Sequence, residues 1–360
     1  MWLETARILE KRLPDITGFM ERCRTPGLRV CIAGAGSSGY CGEIISAAAN
    51  KYLGYISDAP HTTDIVGSPE SFLHEDIPTL LISLARSGNS PESAGAVEYA
   101  RKKIKRLFEI CVTCSANGEL FKISEENKEN ENILNILLPE KTCDKGFAMT
   151  SSFTSMAVAA YGILSYNNFP AFKNDVSALG GCISESLNKL VCSAQKTISE
   201  KPFDRAAFLG AGIHKGLARE AANKMGELTA GKINVVSDTP LEFRHGPKSM
   251  VDDNTVIMHI ISEDLLTRKY DIDLLCELIS QKRENKIITV SAGKPDVEGI
   301  DYEIILNNNF SNDFYFGIAG AVFAQIFAFI KSQEMGITTD NPCPGGDLNR
   351  EVKGVTIYEI

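Results

Sequence analysis

Two stretches of one pattern, Arg29–Gly36 (RVCIAGAG) and Arg205–Gly212 (RAAFLGAG), decide how this chain folds. Each is a short apolar run of strand type that ends in a Gly-x-Gly turn. The agreement continues downstream of both copies. Tyr40–Leu53 and Lys215–Leu228 are helix-like, and Thr79–Leu84 and Thr255–Ile260 are apolar strands bounded by turn or charged residues. Leu107–Thr113 and Lys286–Ser291 each follow a helical run rich in Lys and Glu, and Ile133–Leu138 pairs with Tyr302–Leu306. An internal repeat of this kind, strands alternating with helices, predicts parallel sheets covered by helices on both faces. The fold expected is α/β, with two doubly wound parallel-sheet domains in tandem. The first spans residues 1–190, with an N-terminal helix and the linking helices of Ser151–Leu190; the second spans 191–360 and carries a C-terminal tail.

The bulk properties narrow the function. A chain of 360 residues, 44% hydrophobic and 23% charged, suits about two globular domains. Its formal net charge of -9 and pI near 5.3 argue against a nucleic-acid partner, which needs a concentrated basic face. An anionic small molecule remains compatible, because a pocket on an acidic protein can be locally positive. Met1–Lys11 carries charges where a signal peptide has an apolar core. Phe316–Ile330, the most apolar long stretch, is too short for a membrane span and reads as a buried helix. A cytoplasmic protein without membrane contact is expected.

Ten cysteines are scattered without a framework, and Cys31, Cys111 and Cys192 sit in apolar runs that suit reduced core thiols. Cys111 and Cys114 form a C-x-x-C pair, but within a strand and with no second pair at metal spacing. Five histidines with no i, i+4 pair complete the case for no metal, and no cofactor is expected.

In open parallel sheets ligands bind beyond the carboxyl ends of strands, at helix N-termini. Three loops fall there. Gly34–Gly39 (GAGSSG) also fits a dinucleotide fingerprint, and Asp58 stands roughly where such a site needs a ribose-binding acid. Ser83–Ser93 (SLARSGNSPES) favours a phosphate instead. Ser87, Ser90 and Ser93 offer three hydroxyls at a helix start where a cap needs one, Gly88 frees the backbone, and Arg86 adds a cation. Asp144–Ser152 (DKGFAMTSS) again puts hydroxyls at a helix start, which alone is a capping sequence.

The second half supplies acid and base candidates. Lys224 and Glu227 project from one helix face, with Lys232 just beyond; such a pair, taken alone, reads as a surface ion pair. Asp238–Lys248 (DTPLEFRHGPK) then packs His245 among Arg244, Lys248 and two carboxylates in a Pro- and Gly-bounded turn. Histidine titrates unaided near neutrality, which suits proton transfer. His61, His74 and His214 have weaker context, and His259 alternates into a strand as a core residue.

These motifs together resemble the sugar isomerase (SIS) proteins, the tandem-domain group that includes the isomerase half of glucosamine-6-phosphate synthase. The branch most similar is described as galactosamine-6-phosphate deaminase or tagatose-6-phosphate ketose/aldose isomerase. The resemblance runs the length of the chain and rests on Ser87–Ser93, Gly146–Ser155, Phe243–Lys248 and the segment from Asp340–Pro344 to Gly354–Tyr358. It implies flavodoxin-like SIS domains and a sugar-phosphate substrate. Ser38, Ser87 and Ser90 match phosphate-holding positions. Ala85 and Arg86 replace a Ser and a Gln of the synthase, so Ser93 or Arg86 compensates. Gly36 and Ser37 of the Gly34–Gly39 loop and Phe147 and Thr150 of the Gly146–Ser155 segment are expected as further sugar contacts. Glu227 matches the carboxylate that moves a proton between C1 and C2, with Lys224 at the matching spacing. His245 matches the ring-opening acid/base, given in the synthase by the neighbouring subunit, and Lys353 matches a tail lysine that closes over the open-chain sugar. The stretch from Glu227 to His245 is slightly longer than in the synthase. A homodimer with shared active sites is the corresponding expectation.

The chemistry implied is opening of a pyranose followed by proton transfer between C1 and C2. With a 2-amino sugar the product is an imine whose hydrolysis releases ammonia. No glutaminase domain with an N-terminal Cys precedes the matching part, so ammonia transfer from glutamine is not expected. Other readings stay open beside this one: a fructosamine-6-phosphate deglycase, a non-catalytic sugar-phosphate sensor, and, more remotely, a nicotinamide enzyme.

Overall fold

The structure, a computed structural model, describes residues 1–127, 129–306, 310–345, 350–352 and 354–360. Each half of the chain builds a five-stranded sheet in which every pairing is parallel. In the first, β1 (Arg29–Ala33), β2 (Ile56–Asp58), β3 (Thr79–Ala85), β4 (Leu107–Thr113) and β5 (Ile133–Leu137) lie in the order β2-β1-β3-β4-β5. In the second, β6 (Arg205–Leu209), β7 (Asn234–Asp238), β8 (Thr255–Ile260), β9 (Lys286–Ser291) and β10 (Tyr302–Ile305) lie in the order β10-β9-β8-β6-β7. Counted from its own first strand, each sheet has the doubly wound order 2-1-3-4-5. The two-domain α/β expectation is what the chain forms.

The central strands are as apolar as they read: every residue of β1, β3 and β8 is buried. Sequence periodicity found four strands per half and missed β2 and β7. Both are edge strands with exposed residues, so neither carries the apolar run that marks a strand covered on both faces.

The repeat extends to the turns. A Cβ on Gly34 would sit 2.5 Å from the backbone of Ser38, and one on Gly210 would sit 2.5 Å from the backbone of His214. Gly36 and Gly212 both take positive φ, +54 and +57. Each turn therefore needs glycine twice, once for close approach of the helix and once for a left-handed backbone.

The chain divides into two compact units. The first comprises Met1–Lys145, Met149–Val176 and Leu348–Ile360; the second comprises Gly146–Ala148 and Ser177–Asp347. The expected division after residue 190 falls inside the 32-residue helix Phe169–Glu200, and the C-terminal segment groups with the first unit, not the second. Ile357 of that segment packs against the first unit's core cluster of Leu81, Ala96, Tyr99 and their neighbours. The apolar stretch of the second unit forms a 22-residue helix, Asp313–Glu334, longer than its apolar part suggested. Among the described residues it is the one helix that is long and apolar enough to cross a membrane, and most of it is buried in the protein.

Cys31, Cys111 and Cys114 are buried, and burial pushes each thiol up to about 12. Cys192, expected in the core, is exposed: its helix turns that position outward although its sequence neighbours are apolar.

Candidate functional site

In the first unit β1 and β3 are neighbours, with Ala33 in register with Ser83. This is where the strand order reverses, and the crevice of a doubly wound sheet opens beyond the carboxyl ends of such strands. Two of the loops singled out in the sequence leave from this point. After β1, Gly36 leads into Ser37 and Ser38, both buried in the first turn of the helix Ser37–Ala48. The Ser38 Oγ lies 3.9 Å from the Met149 Sδ. After β3, Arg86–Ser90 leads into the helix Pro91–Lys103. Ser90 caps this helix, accepting the Ser93 N–H at 3.4 Å, while the Ser90 and Ser93 hydroxyls stand 2.8 Å apart. The Ser87 Oγ accepts the Asn89 N–H at 3.3 Å. Three hydroxyls and a helix N-terminus thus gather on one loop, which is the make-up of an anion cradle. Asp58, the residue a dinucleotide would need, is instead held by Arg29 at 2.6 Å.

Arg86 is buried, and its Nη2 donates to the Arg350 carbonyl at 3.0 Å. Burial, followed by the neighbouring charge of Arg350, holds its pKa below the usual arginine value. The Arg350 guanidinium in turn donates to the Asp144 carbonyl, and the Asn89 side chain reaches Glu351 at 3.4 Å. Further along, the Tyr99 hydroxyl donates to the Tyr358 carbonyl, and Ile357 lies against Gly95. The C-terminal segment therefore runs along the very loop and helix that carry the serines. Lys353, the tail lysine of the expectation, lies outside the described residues.

Thr150 is engaged by Asp144. The Asp144 carboxylate accepts the Thr150 hydroxyl at 2.7 Å, the Ser152 hydroxyl at 2.5 Å, and the N–H groups of Thr150, Ser151 and Ser152 at 2.9–3.0 Å. Burial acts to raise this carboxyl, and the donated hydrogen bonds outweigh it and hold it below the usual range. Phe147, half-buried, groups with the second unit in Gly146–Ala148.

In the second unit the helix His214–Leu228 carries Glu220, Lys224 and Glu227 on one stripe. Lys224 has no exposed side-chain surface, and its ammonium pairs with Glu227 and lies 3.6 Å from Glu220. This is not the surface pair that the sequence alone suggested. Glu220 is 2% exposed and Glu227 is 27% exposed, so only Glu227 presents its carboxylate to a ligand. Burial works to strip the Lys224 proton; the charges of Glu220 and Glu227 outweigh it and raise the pKa above the ordinary lysine value.

His245 is exposed, at the end of the short helix Pro240–Phe243 that follows β7. Its neighbours face the other way. Phe243 is buried in the core cluster with Leu274 and Leu278, and both Arg244 and Lys248 pair with Glu277. Gly246 takes a φ of +137 between them.

Sequence reasoning missed Glu220, Asp144 and Glu277. Glu220 was within reach, since it lies four residues before Lys224 and seven before Glu227 on one helix face. Asp144 stands six residues ahead of Thr150, too far for a local cap to be read from spacing. Glu277 meets the His245 loop only through tertiary packing. Three of the four remaining histidines lie beside carboxylates, His214 with Asp313 and His259 with Asp271, each at 3.7 Å and fully buried, and His61 with Glu43 at 3.2 Å, while His74 is exposed. Among the described residues no group of three or more His, Cys, Asp or Glu is placed to hold a metal.

No family model matches the chain. It is 38% identical over 336 residues, 92% of its own length and 82% of the relative's, to the D-galactosamine-6-phosphate deaminase AgaS of Shewanella sp. (strain ANA-3). A solved structure from Clostridium novyi NT, described as a candidate tagatose-6-phosphate ketose/aldose isomerase, matches with a TM-score of 0.94 and 38% identity over 100% of this chain and 92% of that one. The tagatose-6-phosphate ketose/aldose isomerase structure from Escherichia coli matches with a TM-score of 0.89 and 33% identity, covering 99% of this chain and 93% of that one. With similarity of this level over nearly all of its length, the chain belongs to the AgaS family of tandem sugar isomerase (SIS) proteins.

Proposed function

We propose that this enzyme converts a 2-amino-2-deoxyhexose 6-phosphate of the galacto type, with water, into the ketose 6-phosphate and ammonia. The observation that carries the reading is the Lys224–Glu227 pair: a fully buried ammonium holds a carboxylate whose other side is accessible. A carboxylate so placed is suited to take a proton from C2 of an open-chain sugar and return it to C1. The resulting 1-hydroxy-2-imine adds water at C2 and releases ammonia. Lys224, itself fully buried, acts through the Glu227 carboxylate, which it holds in place. The relatives' names support the same chemistry, deamination in one case and ketose/aldose isomerisation in the others.

In this proposal Ser38, Ser87 and Ser90 bind the phosphate, with Ser93 supporting Ser90 and Arg86 adding charge from beneath the C-terminal segment. Gly36, Ser37, Phe147 and Thr150 are carried as sugar contacts, Thr150 through backbone and shape because its hydroxyl serves Asp144. His245 relays the proton between O5 and O1 that opens the ring. Its exposure supports a homodimer in which it serves the partner's sugar. Lys353 is proposed as the tail cation.

The test is to supply galactosamine 6-phosphate and glucosamine 6-phosphate separately, with no cofactor, and to measure ammonia and ketose phosphate. Equal amounts of both products from the galacto epimer are expected. No ammonia from either epimer, with thermal stabilisation by both, would replace the enzyme by a sugar-phosphate sensor.

A further inference from the structure

Glu277 lies in the helix Leu265–Ser280, outside every segment that pointed to the sugar chemistry. Its Oε2 accepts the Arg244 Nε at 2.7 Å and its Oε1 takes the Lys248 ammonium. Asp273, one turn earlier on the same face, accepts the Arg244 Nη2 at 2.9 Å. Arg244 and Lys248 bracket His245, one residue before it and three after. On the inner side Phe243 is fully buried. The turn is thus held at three points, and His245 is the side chain left facing outward. The ion pairs are partly exposed, with Arg244 and Lys248 at 23% and Glu277 at 30%, and such pairs add little to stability. Their larger effect is to fix the direction of one loop. Proton transfer is sensitive to that direction, since a shift of about 1 Å costs on the order of 100-fold.

We infer that Glu277 is a positioning residue for ring opening: through Arg244 and Lys248 it sets the orientation of the His245 imidazole. This rests on the proposed role of His245. The experiment compares Glu277→Ala, Glu277→Asp, Lys248→Gln, His245→Ala and the His245→Ala/Glu277→Ala double variant on galactosamine 6-phosphate. Glu277→Ala is expected to lower kcat about 10- to 100-fold at nearly unchanged KM and melting temperature. Glu277→Asp should recover part of that loss, and Lys248→Gln should show a smaller one. The double variant should be no slower than His245→Ala, because a positioning effect disappears with the group positioned. Full additivity in the double variant, or wild-type kcat in Glu277→Ala, overturns the inference. Wild-type kcat in His245→Ala overturns instead the reading of His245 on which it rests.

Discussion

Lys224 meets two carboxylates that differ in one respect: Glu220 is sealed in with it, while Glu227 reaches solvent. The two carboxylates share one buried ammonium, and only Glu227 is placed to meet a ligand. Glu227→Gln keeps the shape and a hydrogen bond to Lys224 and leaves Glu220 to neutralise the cation. Turnover is expected to fall about 10²–10⁴-fold while sugar-phosphate affinity, read by calorimetry, stays close to wild type. A variant that turns over normally would remove Glu227 from the proton transfer. The same logic explains why the spacing of Lys224 and Glu227 was readable and their burial was not: periodicity gives the face of a helix, and only packing says what covers it.

At the scale of elements, the helix Ser151–Leu164 begins with three N–H groups and two hydroxyls turned toward the single carboxylate of Asp144. Asp144→Ala would leave these donors without their acceptor at a largely buried helix start. A loss of about 2 kcal/mol in a denaturant titration is expected, the upper end for a helix cap. A change below about 0.5 kcal/mol would mean that water replaces the carboxylate. The arrangement also shows why residues 144–152 can be read in two ways. Hydroxyls at a helix start mark either a cap or an anion site, and the acceptor that decides for capping lies outside the helix. Fold elements were legible wherever burial on both faces forces an apolar run, as in β3 and β8. They were illegible at β2 and β7, where an edge strand satisfies its backbone on one side and shows polar residues on the other. The phosphate loop was legible because it needs three hydroxyls in seven residues. The support of His245 was not, because Glu277 follows it by 32 positions.

Across the whole molecule, depressed carboxylates sit in both units. Asp144 is one, and Asp313 is another. Burial tends to raise the Asp313 carboxyl, and His214, Ser262 and the Glu263 N–H hold it well below the usual range. Asp301 follows the same pattern, with Lys282, Lys286 and the Ile287 N–H outweighing burial. A carboxylate whose pKa is lower folded than unfolded stabilises the protein above the unfolded value and loses that contribution as pH falls toward the folded one. The melting temperature is therefore expected to hold level from about pH 8 to 5 and to drop steeply below about pH 4, the unfolded carboxylate range. A curve still level at pH 3 would contradict it. One more consequence follows from the path of the chain. The carbonyl that receives Arg86 belongs to Arg350, so Arg86, on the serine loop, is translated 264 positions before that partner. During synthesis on the ribosome, at roughly 5–20 residues per second, an entire second sheet is made while that loop waits. The second unit, continuous from Ser177 to Asp347 apart from the earlier Gly146–Ala148, can thus be shaped in one pass, whereas the first closes only when its final segment returns to it.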